Sequence, residues 1–191
     1  DFTYQHHHFA TFLNQCYGFM TFELAAIPLV LAIMMQKRAI NVLFLTMMFT
    51  FIVGTLIYYF FPTTAPASMF SNVNFATEQH DTFRKFYEIH HHLPITTNLG
   101  GLIAFPSFHV VWAVLFAYAF KDKKYLLVPM TVLNSFIILS TVMLGWHYLI
   151  DVFAGIAIAV AAIQAAEWVY RKYIATEKER IIAETSYTAA P

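Results

Sequence analysis

The chain has 191 residues, enough for one domain, and carries no net charge when its histidines are neutral. Hydrophobic residues make up 59% of it, aromatic residues 18% and charged residues only 12%. That is too little polar surface to cover a soluble globule, so the chain reads as membrane-embedded; the lack of a basic footprint excludes a nucleic-acid binder.

The opening Asp1-Phe2-Thr3-Tyr4 reads as a chain that begins partway, with an upstream helix expected. Phe12–Met35 and Ala39–Phe61 are each long and apolar enough to span a bilayer of roughly 20 helical residues. The first carries Cys16, which reads as packing, since a lone cysteine gives neither an internal disulfide nor a thiolate metal site. It also carries Glu23, which needs either a structural hydrogen bond or a place in a headgroup or acceptor pocket. A polar interval follows from Pro62 to Ala104. Within it Phe75, Phe83, Phe86, Tyr87 and Ile89 alternate with charges, as in short helices lying at the interface. Three more spans are expected at Phe105–Phe120, Tyr125–Leu144 and Tyr148–Tyr170, the short third one extended by residues before Phe105. The charged tail from Arg171 reads as a helix extension that frays before Pro191.

Cations set the orientation. If the five spans alternate, Lys37, Arg38, Lys121, Lys123, Lys124, Arg171, Lys172, Lys178 and Arg180 share one side, and only Arg84 and Lys85 fall on the other. The positive-inside rule then places the long interval on the non-cytoplasmic side, facing periplasm, lumen or exterior. An odd number of spans leaves Asp1 outside, so an upstream helix would make six.

Two motifs fall at that outer boundary. Pro106-Ser107 reads as a helix start, with proline in the first turn and unpaired amides ready for an anion such as phosphate. Ser107 adds a donor, His109 lies in the same turn, and Gly100-Gly101 lets the backbone approach closely. Further on, Gly145-Trp146 forms a tight turn that delivers His147 to the end of the last span. Asp151 follows four residues later on the same face, about 6 Å deeper at 1.5 Å per residue. A carboxylate there holds the imidazole in one tautomer and stabilises its cation, which suits a nucleophilic histidine, with His109 free for acid–base work. The competing readings are a capped helix with an interfacial histidine, and a structural His–Asp pair locking a helix end. His6-His7-His8 and His90-His91-His92 suggest metal, but adjacent histidines point in different directions and close no site. The 90–92 triplet, close before the helix start at Pro106-Ser107, reads either as a contact to substrate phosphate when protonated or, more readily, as loop filler.

Pro106-Ser107-Phe108-His109 resembles the second motif of the type 2 phosphatidic acid phosphatase family, and Ser140-Thr141 through His147-Tyr148-Leu149-Ile150-Asp151 resembles its third. The resemblance covers roughly residues 50–170. The wording Phe105-Pro106-Ser107-Phe108-His109, His147-Tyr148-Leu149-Ile150-Asp151 and Phe61-Pro62-Thr63-Thr64-Ala65-Pro66 looks more like the inositol phosphorylceramide synthase-like branch. The resemblance implies an all-α polytopic membrane enzyme with five visible spans, six in the full chain, and neither metal nor cofactor. His147 would attack phosphorus and form a phosphohistidine. Asp151 would orient and charge-stabilise His147. His109 would protonate the leaving lipid alkoxide and then deprotonate water or an alcohol.

Two departures stand out. The family's third motif has an arginine six residues before its histidine, where this chain has Thr141, and the Lys…Arg-Pro first motif has no recognisable counterpart. Arg84 and Lys85 either fold over the site as the missing phosphate clamp or remain interfacial cations. With Ser107, Thr63, Thr64 and Gly145 they make up the expected substrate-binding set. The expectation is one domain over 1–191, with its core at 39–170 and a cytoplasmic tail at 171–191. It acts on a lipid phosphate in the bilayer, with homo-oligomerisation open. Hydrolysis is the leading activity; phosphotransfer to an alcohol and a catalytically silent lipid-binding or transport protein are the alternatives.

Overall fold

The structure is a computed structural model that describes residues 2–70, 75–98 and 101–175. A single turn, α1 (Phe2–Gln5), precedes two long helices, α2 (His7–Ile33) and α3 (Lys37–Phe60). A 3₁₀ turn at Pro66–Ser68 and the helix α4 (Thr77–His90) occupy the long polar interval. α5 (Phe108–Ala119), α6 (Lys124–Met143) and α7 (Leu149–Val169) follow, and α7 runs into a π-turn at Tyr170–Ile174. Asp1, Gly100, Lys178, Arg180 and the rest of the tail beyond Ala175, with the fraying expected there, lie outside the described residues.

The all-α bundle is as expected. α2, α3, α6 and α7 with its π-turn are each long and apolar enough to cross a membrane. The third expected span is corrected. α5 has only 12 residues, about 18 Å of helix, and nothing before Phe105 extends it. Residues 101–107 are not helical; the Phe105–Pro106 bond is cis, and Ser107 caps α5, so Pro106 lies just outside the helix rather than in its first turn.

α5 is apolar all round because it is enclosed on all sides. Val110, Val111, Ala113, Leu115 and Phe116 are buried, and the helix packs on α3, α6 and α7. The outer faces of its neighbours expose Phe22, Leu29, Phe51, Leu56, Val128 and Phe153, a surface suited to lipid. Lipid tails are as apolar as leucine, so close approach and polar contacts must select the packing. At Gly155 a Cβ would lie 2.8 Å from the Ser107 carbonyl oxygen, so only glycine lets α7 meet the start of α5. Glu23 has its structural hydrogen bond: Asn134 Nδ2 of α6 donates to Glu23 Oε1 at 3.2 Å. Cys16 is buried in the core, as expected.

At the end of the bundle away from His147, one carboxylate gathers the cations. Arg38 donates to Glu167 Oε2 at 2.8 Å, and Lys121 and Tyr118 donate to Oε1 at 2.5 and 2.8 Å. The Glu167 side chain is 8% exposed, while those of Arg38 and Lys121 are 46% and 30% exposed. α3, α5 with its following turn, and α7 are thereby tied together at the cation-rich end.

α4 turns three of its polar residues inward. Gln79, Asp81 and Glu88 are buried, while Phe83 and Tyr87, one turn apart, are exposed as in a helix lying at a membrane interface. Thr96 donates to Glu88 from both its amide, at 2.9 Å, and its hydroxyl, tying the following strap back to the helix. These donors hold the Glu88 carboxyl below the usual carboxylate range.

Candidate active site

The turn that presents His147 is built from its glycine. α6 ends in a Schellman motif. The Gly145 amide donates to the Val142 carbonyl and the Trp146 amide to the Thr141 carbonyl, each at 3.0 Å. Gly145 takes φ +76°, the left-handed conformation this motif needs. The His147 amide adds a second bond to the Thr141 carbonyl at 2.9 Å. Gly145 thus shapes the turn through its backbone. A side chain there would also collide with Phe75, whose Cε1 lies 2.6 Å from where Cβ would be.

His147 and Asp151 then meet across one turn of α7. Both are buried, and His147 Nδ1 lies 3.5 Å from Asp151 Oδ2. The shorter contact is to backbone: Nδ1 lies 2.9 Å from the Ala104 carbonyl oxygen. A carbonyl only accepts, so Nδ1 carries the proton and the Nε2 lone pair is left free. Asp151 Oδ2 also accepts from the Tyr148 amide at 2.8 Å, within the first turn of α7, where the helix dipole favours a carboxylate. The expected His147–Asp151 pairing is therefore present, with a carbonyl from residues 101–107 as the nearer partner.

His109 comes to the same place. Its ring centroid lies 6.1 Å from that of His147. Ser107 is fully buried and caps α5, its Oγ accepting from Val110 N at 3.4 Å, and its amide donates to the Asp151 carbonyl at 3.3 Å. Both expected motifs thus share one end of the bundle, joined through backbone as well as side chains. Two further residues belong here that the sequence did not single out. Tyr17 of α2 stacks on His109 at 4.3 Å between centroids and on Trp146 at 4.8 Å. Gln79 of α4 donates to the Leu144 carbonyl at 3.0 Å and accepts from the Ala76 amide at 2.8 Å, docking α4 on the His147 turn. A tyrosine in an apolar span and a glutamine in a polar helix carry no local signal; only the tertiary contact marks them.

Arg84 is exposed and pairs with Asp81 at 3.6 Å, and Lys85 lies one residue on along α4. Thr64 accepts from the Ser68 hydroxyl at 2.6 Å, whereas the Thr63 hydroxyl oxygen is buried without a hydrogen-bond partner. Thr141, standing where the family's arginine is expected, donates its hydroxyl to the Ile138 carbonyl at 2.7 Å. His90 and His91 each place Nδ1 2.8 Å from a carbonyl in the last turn of α4 and stack on Phe86 and Tyr87. They close that helix, so His90 and His91 belong to the end of α4 rather than to a loop as expected. Among the described residues no three His, Cys, Asp or Glu side chains gather as a metal-binding group.

An all-α membrane bundle with two histidines and a carboxylate drawn together at one end defines a class of integral membrane protein suited to acid–base and nucleophilic chemistry. A family model for the PAP2 superfamily matches residues 1–165, and the chain belongs to that superfamily, whose members are phosphatases or phosphotransferases acting on phosphate esters. No curated protein and no solved structure matches the chain.

Proposed function

We propose that the chain is a metal-independent lipid phosphate phosphatase working through a phosphohistidine at the non-cytoplasmic face. The supporting observation is the His147 Nδ1 contact to the Ala104 carbonyl, which leaves Nε2 as the nucleophile. Nε2 attacks phosphorus, the N–P bond forms and the bond to the lipid oxygen breaks. His109 gives its proton to the departing alkoxide. Asp151, at 3.5 Å, stabilises the positive charge that His147 gains. His109 then takes a proton from water as its oxygen attacks, the N–P bond breaks and phosphate leaves. The Ser107 hydroxyl and the amides of Phe108 and His109, the first two of α5, supply donors to the equatorial oxygens. Arg84 and Lys85, on the helix that Gln79 docks against the His147 turn, are the cations proposed to clamp the phosphate. The cation-rich end opposite His147 supports the outward orientation.

Phosphate release from a panel of lipid phosphates in detergent with EDTA tests this, with His147→Ala as control. EDTA-resistant release that disappears in the variant is expected; equal release from both proteins would overturn the assignment. A second reading, transfer of a phospho-headgroup to an alcohol acceptor, is favoured by the synthase-like wording of Phe105–His109 and of His147–Asp151. It predicts His147-dependent turnover only when an alcohol such as inositol accompanies the phospholipid.

A further inference from the structure

We propose that Tyr17 is a positioning residue that fixes the imidazole plane of His109 by stacking. This rests on the reading of His109 as the acid and base. Terminal torsions of histidine are broad and roughly two-fold, so an acid–base imidazole needs something to hold its ring. His147 and Asp151 have hydrogen bonds for this purpose. The contacts described for the His109 ring are instead to other rings: Tyr17 at 4.3 Å, His147 at 6.1 Å and Trp112 at 6.4 Å between centroids. Only the first is a parallel stack, at an interplanar angle of 19°.

Tyr17 is itself held in plane. Its ring lies 4.8 Å from Trp146 at an interplanar angle of 7°, and Trp146 is fixed by the Schellman turn next to His147. On α2, Cys16 and Met20 are buried on either side of Tyr17, which anchors the helix at this depth. The stack therefore joins the two motifs: the turn carrying His147 fixes Trp146, Trp146 aligns Tyr17, and Tyr17 aligns His109. The ring, rather than the hydroxyl, performs this role.

The test is a rate comparison among Tyr17→Ala, Tyr17→Leu and Tyr17→Phe, each also combined with His109→Ala, on the intact membrane protein in detergent. Loss of the ring should lower kcat by roughly tenfold to a hundredfold with little change in KM, since misplacing a catalytic group by about 1 Å costs that much. Tyr17→Phe should restore most of the rate. In the His109→Ala background, Tyr17→Leu should have no further effect, because the residue acts through His109. With an activated phosphate ester, whose leaving group needs no proton, the loss on Tyr17→Leu should largely vanish from the burst that reports phosphohistidine formation and persist in the hydrolysis that follows, where His109 acts as base. Equal losses in both backgrounds, or a Tyr17→Phe as impaired as Tyr17→Leu, would overturn the proposal. If Tyr17→Ala does not fold, Tyr17→Leu preserves the bulk and decides. Full activity in His147→Ala would instead refute the phosphohistidine reading, a result distinct from either.

Discussion

Gly145→Ala is the sharpest test of how the backbone builds this site. Two separate costs meet at that position. An alanine at φ +76° pays about 1–2 kcal/mol for the left-handed conformation. Its Cβ would also lie 2.6 Å from Phe75 Cε1, and moving a packed ring aside costs about 1–3 kcal/mol. The sum is about 2–5 kcal/mol in stability, readable as a fall in thermal midpoint in detergent. The displaced Schellman turn also carries His147, so turnover per folded molecule should fall by roughly tenfold to a hundredfold. Adding Phe75→Ala separates the two costs. It should remove the collision and leave the strain, recovering part of the stability that Gly145→Ala loses, measured against Phe75→Ala alone. Full recovery would show that the left-handed backbone is not what requires glycine here. A Gly145→Ala protein within about 0.5 kcal/mol of wild type would refute the whole account.

Gln79→Ala removes the buried link between α4 and the Leu144 carbonyl and should cost about 1–3 kcal/mol, with faster amide exchange across 75–90 as the readout. Asp151→Asn keeps an oxygen for the Tyr148 amide but loses the charge facing His147; kcat should fall by roughly a hundredfold or more with helicity by circular dichroism unchanged. Glu167→Ala should destabilise by about 1–2 kcal/mol, below the range for fully buried pairs because Arg38 and Lys121 are partly exposed, while phosphate release per folded molecule stays the same. Glu88 has its pKa lowered by Thr96, so its contribution is present above the ordinary carboxylate pKa and lost as pH falls through the lower folded value. Glu88→Gln should therefore loosen the strap around Thr96 at neutral pH. Below that lower value, amide exchange in variant and wild type should converge.

Long apolar runs made α2, α3, α6 and α7 legible, since a spanning helix is a matter of length and hydropathy. His147 and Asp151 were legible for a similar reason: four-residue spacing on a helix guarantees a shared face. Gly145 signalled the turn, although its part is conformational rather than a contact to substrate. α5 is shorter than its apolar run suggests because its length depends on where its neighbours let it begin. Ser107 looked like the second residue of a proline-started helix, yet its oxygen serves better as the cap. Tyr17, Ala104 and Gln79 stayed invisible. Each acts through a partner distant in sequence, and Ala104 acts through a carbonyl that any residue would supply.

The short α5 and the site have one cause. The Ser107 carbonyl lies against Gly155, six residues into α7 and so about 9 Å beyond its start. Tyr17, which meets His109, lies ten residues into α2, about 15 Å from its start. α5 thus begins below the first residues of α2 and α7, and residues 101–107 must descend beside them without helical hydrogen bonds. Irregular backbone at such depth persists only where protein satisfies its polar groups. Here the site does so: the Ala104 carbonyl accepts from His147, and the Ser107 amide donates to the Asp151 carbonyl. The bond that fixes the His147 tautomer is therefore also one that lets the chain enter the bundle. Replacing His147 leaves the buried Ala104 carbonyl without that donor, so His147→Ala should lose stability as well as activity, and its turnover has meaning only per folded molecule.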